Sequence, residues 1–264
     1  MNRAVVVACT IPMILRLAPA PSSAQQEQKP VQPPSRSKAE RIGDRAVGNL
    51  AAWKIKAAEN VLGANEAELG TTPEYNTALG YLRAIQGDAE QGLALLRKAS
   101  EAKPTDPAPE YYLGEVQYWR QNPDTAASAW KSARGRAKTL VDVNSADAYA
   151  QYYLGASQAR LKQFGPARKA LEAAREGGFD PTLVDYQLGL SYVLEEKWQD
   201  AVAAFDAVAA GDPKFAHLYF YRGLAWEKLD RKDKMLNDWS NFVGLAPTAP
   251  EAGIVETILG AAKR

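Results

Sequence analysis

The chain has 264 residues, with 32 basic and 31 acidic side chains and a formal charge of +1, so it presents no electrostatic lure for nucleic acid and holds no recognised nucleic-acid motif. With one cysteine and one histidine, it cannot build histidine/cysteine zinc sites or the common nucleophilic triads. No G-x-x-x-x-G-K-[ST] or G-x-G-x-x-G loop offers a nucleotide cradle, and no carboxylate pair stands out among acids spread along the chain, so the expectation is a non-enzymatic protein without cofactor or metal.

Residues 1–24, MNRAVVVACTIPMILRLAPAPSSA, combine Arg3, an apolar stretch from Ala4 to Leu15 and the small-residue site Ser22-Ser23-Ala24. This is the pattern of a secretory signal peptide cleaved near Ala24. The apolar stretch is shorter than the roughly 20 residues that span a bilayer, so no membrane span is expected. The rival site Ala18-Pro19-Ala20 is followed by Pro21, and Val6-Val7-Ala8-Cys9 resembles a lipoprotein signal with only eight residues before its cysteine. Cleavage removes Cys9, so the exported protein, periplasmic or secreted, holds no disulfide. A bacterial envelope location suits that better than a small, stapled secreted domain. Residues 25–37, QQEQKPVQPPSRS, are polar and proline-rich and read as a disordered tether.

In residues 38–72, Ile42, Ala46, Leu50, Trp53, Ala57 and Val61 step by three or four residues. That spacing predicts one apolar stripe on one helix, a cap over the first repeat unit. A repeat then begins. Gly80, Gly114, Gly155, Gly189 and Gly223 close the phrases TALG, YYLG, YYLG, YQLG and FYRG at spacings of 34, 41, 34 and 34. Twelve residues after each glycine stand Gly92, Ala126, Ala167, Ala201 and Met235, and four later Leu96, Trp130, Leu171, Phe205 and Trp239. Ala99, Ala133, Ala174, Val208 and Phe242 follow, and Pro104, Pro213 and Pro247 close three units. A glycine inside a helix costs about 1 kcal/mol relative to alanine, so its recurrence requires a packing reason, the close approach of a neighbouring helix. The small and large residues four apart share one face of a second helix.

The long interval adds seven residues near SARGRAKTLVDVN. Seven residues are close to two helical turns and preserve the facing of a lengthened helix, which predicts helix past Ala133 toward Leu140 or Val141. The alternative is a seven-residue loop, with helix ending near Ala137. Residues 250–264 carry Ile254, Val255, Ile258 and Leu259 as a short apolar face for a C-terminal capping helix.

The pattern over 73–249 resembles the tetratricopeptide repeat, whose 34-residue unit is a helix-turn-helix. The resemblance implies an all-α, right-handed α-solenoid of five units, 73–106, 107–147, 148–181, 182–215 and 216–249, whose first helices line a concave groove. Carried over residue by residue, the groove would present Tyr81, Tyr111, Tyr118, Trp119, Tyr149, Tyr152, Arg160, Tyr186, His217, Phe220 and Lys228, with Thr77 at position five of the first unit. Tyr118, Trp119 and Tyr149 would cluster at the widened junction of units two and three, whereas rings at position five also pack between first helices. The family's clamp for a terminal carboxylate needs Lys at position five and Asn at position nine, and position nine here is Tyr81, Glu115, Ala156, Leu190 and Leu224. Arg222, in place of leucine, is expected partly exposed and paired with Asp206 or Asp238. The implied partner is a protein or extended peptide. A glycan or small ligand on the same aromatics is the alternative, and a spacer whose groove is empty or filled by residues 25–37 is the third.

Overall fold

The computed structural model describes residues 36–262, so the expected signal peptide and all but the end of the expected tether lie outside the described residues. Three helices come first, α1 (Lys38–Ala51), α2 (Ile55–Gly63) and the single turn α3 (Glu66–Leu69). Five antiparallel pairs follow: α4 (Pro73–Ile85) with α5 (Ala89–Ala102), α6 (Ala108–Trp119) with α7 (Pro123–Val143), α8 (Ala148–Arg160) with α9 (Phe164–Glu176), α10 (Pro181–Leu194) with α11 (Trp198–Gly211), and α12 (Ala216–Lys228) with α13 (Lys232–Leu245). The helix α14 (Ala252–Ala262) packs on α13. Each pair lies against the next, the arrangement of an α-solenoid.

Local chemistry starts and stops these helices. Ser37 and Glu40 form a reciprocal capping box at α1, and Thr72, Asp88, Asp147 and Asp180 accept backbone N–H groups at the starts of α4, α5, α8 and α10. Inside each pair the chain turns through one left-handed residue: Gly87, Gln121, Lys162, Glu196 and Asp230.

The repeated glycines are fixed by contact with the second helix of their own pair. A Cβ added at Gly114, Gly189 or Gly223 would lie closer than 3.0 Å to the ring of Trp130, Phe205 or Trp239, and at Gly155 it would crowd Leu171 equally. The large residue of the repeat thus sits directly on the glycine, which accounts for the pairing of TALG-type phrases with a bulky residue sixteen positions on. α7 runs 21 residues to Val143, so the seven-residue insertion lengthens the helix. Ala126, Trp130, Ala133 and Ala137 stay buried along one face, and Arg136 donates to Ser100, Glu110 and the Asp106 carbonyl at the start of α6.

Two expectations are corrected. The stripe from Ile42 to Val61 is two helices, because Trp53 takes the left-handed conformation with φ 59° and breaks it. Trp53 stands 34 residues before Gly87, and Ala46, Ala58 and Leu62 stand 34 before Gly80, Gly92 and Leu96 and are buried. Residues 38–63 are therefore a helix pair in phase with the repeat, with alanine where the glycine marker would be. On α14 the expected face is split: Val255 is buried against the preceding pair, whereas Ile254 is 65% exposed, since one stripe of a helix meets α13 and the residue beside it points away.

Gly189→Ala should lower stability by about 2 kcal/mol in chemical denaturation, because overpacking against Phe205 outweighs the helix-propensity gain of about 1 kcal/mol. Glu196→Gly should raise it by about 0.5–1 kcal/mol by relieving a left-handed residue that carries a Cβ.

Candidate functional site

The first helices of the five pairs turn their inner side chains toward one another, and in this chain those side chains are mostly tyrosines. Tyr111, Tyr152 and Tyr186 are buried, at 2%, 3% and 8% exposure. Tyr152 stacks on Phe179 at 4.3 Å and Tyr186 packs on Phe215 at 4.5 Å. Gln187 of α10 reaches across two units, its Nε2 donating to the hydroxyls of Tyr111 (3.1 Å) and Tyr152 (3.4 Å). Thr77 is also buried, its hydroxyl returned to the Pro73 carbonyl at 2.8 Å. Burial drives the Tyr111, Tyr152 and Tyr186 hydroxyls above their ordinary range and that of Tyr221 up to about 12, so they act as neutral donors and acceptors.

A largely buried ion pair sits among these rings, with the Arg160 side chain 16% exposed and that of Glu115 7%. Glu115 of α6 accepts from Arg160 Nε of α8 at 2.8 Å and from Trp130 Nε1 at 3.1 Å. Burial pulls the Arg160 guanidinium down and the Glu115 carboxylate more than offsets it, so the arginine is held well above its ordinary value. Arg160 is thus no basic lure on a groove rim; its charge is spent inside. Its partner was missed in the sequence, although Arg160 lies 45 residues after Glu115, one 41-residue unit plus one helical turn, the offset that brings side chains of adjacent first helices together. Arg222 pairs with both expected carboxylates, Asp206 at 2.6 Å and Asp238 through Nε at 2.8 Å.

The two ends of the first helices differ. At their starts lies α1 with the residues on either side of it, a segment that reaches from the first pair to the fifth: Gly43 against Glu74 of α4, Lys103 joining Glu40 to the α5–α6 junction, Arg36 over the Tyr149 ring of α8 at 4.3 Å, Gly48 beside Leu183 of α10, and the Ala52 carbonyl accepting the N–H of Ala216 of α12 at 3.2 Å. His217 is covered here, edge-on to Trp53 at 5.1 Å with Nε2 3.8 Å from Glu251. Tyr149 is covered too, its hydroxyl donating to Asp106 at 2.7 Å. The expected cluster of Tyr149 with Tyr118 and Trp119 is therefore not formed. Position two and position twelve of parallel first helices are about 15 Å apart along the axis.

At the other end Tyr118 is 55% exposed and Trp119 47% exposed. Trp119 stacks on the buried ring of Tyr81 at 5.4 Å, and Tyr118 leans on Trp130 at 5.7 Å. Lys228 is exposed at the end of α12, and Phe220 is half-buried against Phe242 at 5.2 Å. Of the expected groove residues, Tyr118, Trp119 and Lys228 are the ones open to solvent.

No protein-family model and no curated protein matches the chain. Among solved structures it is similar to a thermophilic tetratricopeptide repeat protein of Thermus thermophilus, at 18% identity over 72% of this chain and 98% of that one, with a TM-score of 0.55. It is also similar to YrrB, whose structure is described as a TPR protein with an unusual peptide-binding site, at 19% identity over 74% of this chain and 97% of that one (TM-score 0.41). A third is PilF of Pseudomonas aeruginosa, at 14% identity over 83% and 96% (TM-score 0.38). The likeness to the Thermus protein is one of fold.

Glu115→Ala should cost about 3–5 kcal/mol by leaving Arg160 buried without its partner, whereas the double variant Glu115→Leu, Arg160→Met should recover at least about 2 kcal/mol of that loss in urea melts.

Proposed function

On a tetratricopeptide repeat fold whose inner face is packed from within, we propose a non-enzymatic scaffold of the bacterial envelope that binds a protein or an extended peptide at the open end of its first helices, centred on Tyr118 and Trp119. The observation that carries this reading is the exposure of two adjacent large rings, 55% and 47%, on a helix end where Trp119 is already oriented by its stack on Tyr81. Rings held in this way contribute large contact area at little entropy cost and keep a polar handle, the properties of a binding hot spot. The same end of α10 adds Leu194, 38% exposed. At α12, Trp226 is covered by Lys234, whose ammonium lies 4.1 Å from the ring centre. That leaves Tyr118 and Trp119 as the aromatic centre of this end.

Export rests on the Arg3, Ala4–Leu15 and Ser22-Ser23-Ala24 pattern of the N-terminus. Among the described residues no helix is long and apolar enough to cross a membrane. The second reading, a glycan or small ligand captured on the same two rings, draws on the open stacked face of Trp119, which suits the flat apolar side of a sugar.

Residues 25–264 immobilised as bait in envelope extract should retain a protein partner that a Tyr118→Ala, Trp119→Ala variant, folded by circular dichroism, binds at least about tenfold more weakly. Equal retention by both would make these rings packing, and retention of oligosaccharide by the wild type alone would turn the reading to glycan.

A further inference from the structure

Residues 25–35, QQEQKPVQPPS, precede the described residues and carry Pro30, Pro33 and Pro34. Proline holds its own φ near −65° and pushes the residue before it into extended backbone, so the stretch from Lys29 to Pro34 is biased to polyproline II. Ser37 has that conformation where the described chain begins, with φ −60° and ψ 164°. A polyproline II segment is a preformed ridge, and the surfaces that take it are lined with aromatic rings.

Where the segment joins the solenoid limits what it can touch. Arg36 is held at the starts of the first helices, over the Tyr149 ring at 4.3 Å and paired with Asp44. The inner face beyond offers a peptide no ring, because Tyr111, Tyr152 and Tyr186 are buried. Open rings begin at Tyr118 and Trp119. Position two of α8 and position thirteen of α6 lie roughly 16 Å apart along the axis, and neighbouring helices roughly 9 Å apart across it, which puts Trp119 roughly 19 Å from Tyr149. Six residues of polyproline II, from Arg36 back to Pro30, span roughly 19 Å. The segment therefore brings a proline to the distance of Trp119 with five residues to spare. One face of Trp119 is taken by its stack on Tyr81, and the indole is otherwise open. Next to it Arg120 pairs with the exposed Glu90, an acid that suits Lys29, the neighbour of Pro30.

We propose that residues 25–35 are the resident ligand of the open aromatic end, with Pro30 on the free face of Trp119 and Tyr118 beside it, and that an outside partner competes for the rings with a proline-bearing extended segment of its own. The proposal rests on the reading of Tyr118 and Trp119 as a binding site and names the chemistry that the site selects. A short connection holds the segment at a millimolar effective concentration, and a resident at nine-tenths occupancy lowers the apparent affinity of an outside peptide about tenfold.

Residues 25–264 contain no cysteine, since Cys9 is the one cysteine of the chain, so a bimane placed at Gln28→Cys is the single label, and a nearby indole quenches it. Its fluorescence should be at least about threefold lower on the otherwise wild-type protein than on the Tyr118→Ala, Trp119→Ala variant. Pro30→Gly, Pro33→Gly, Pro34→Gly, which leaves every ring in place, should restore the signal, as should an excess of unlabelled peptide of residues 25–36. Equal fluorescence in all these samples would overturn the proposal, and so would quenching that survives the loss of Trp119. Beside the retention experiment above, the two readings separate: a partner retained by an unquenched protein removes the resident segment and leaves the binding site, whereas quenching by Trp119 with no partner retained upholds the segment and removes the outside partner.

Discussion

Everything in this solenoid is referred to one contact, the large side chain of each second helix resting on the bare backbone of a glycine in the first. A Cβ at Gly114 or Gly223 would stand closer than 3.0 Å to the indole of Trp130 or Trp239, so in these pairs the two helices can approach only because a hydrogen replaces a methyl. That contact sets the distance and phase within a pair. The left-handed residue of the turn, Gln121 or Asp230, then results from having to reverse the chain while keeping that phase. The contact also directs polar groups: with its ring pressed on Gly114, Trp130 points its N–H at Glu115, and Glu115 in turn faces Arg160 of the next first helix.

The character of the inner face is a consequence. Once a carboxylate is buried beside an indole, an opposite charge has to meet it there, and Arg160 does so. The tyrosines around the pair donate and accept hydrogen bonds, as Gln187 shows by spanning Tyr111 and Tyr152. Side chains expected to await a ligand are used to hold neighbouring units together. The two ends of the first helices are left unlike, one aromatic and open at Tyr118 and Trp119, the other covered by α1 and the residues beside it.

The closed end shows how a repeat can be present without its marker. Ala46 occupies the glycine phase, and α2 has nine residues where later second helices have thirteen or more, so the pair is slighter than its successors. Beyond α1 the chain meets α12 through Ala52 and Trp53 and the end of α11 through Lys54. A helix in phase with a solenoid at one end thus becomes a bridge across it at the other.

The sequence by itself determined the all-helical architecture, the 34-residue period, the pairing of Gly80, Gly114, Gly155, Gly189 and Gly223 with bulky partners, the elongation of α7 and the carboxylates that meet Arg222. These are local or strictly periodic matters, set by spacing along one or two helices. Only the tertiary structure decided the break at Trp53, the burial of Tyr111, Tyr152 and Tyr186, the pairing of Arg160 with Glu115, the separation of Tyr149 from Tyr118 and the run of residues 36–52 along the starts of the repeat helices. The physical reason is that a repeat specifies how each unit meets the next, whereas the exposure of an inner side chain depends on how tightly the units together curve and on which distant segment fills the space they enclose.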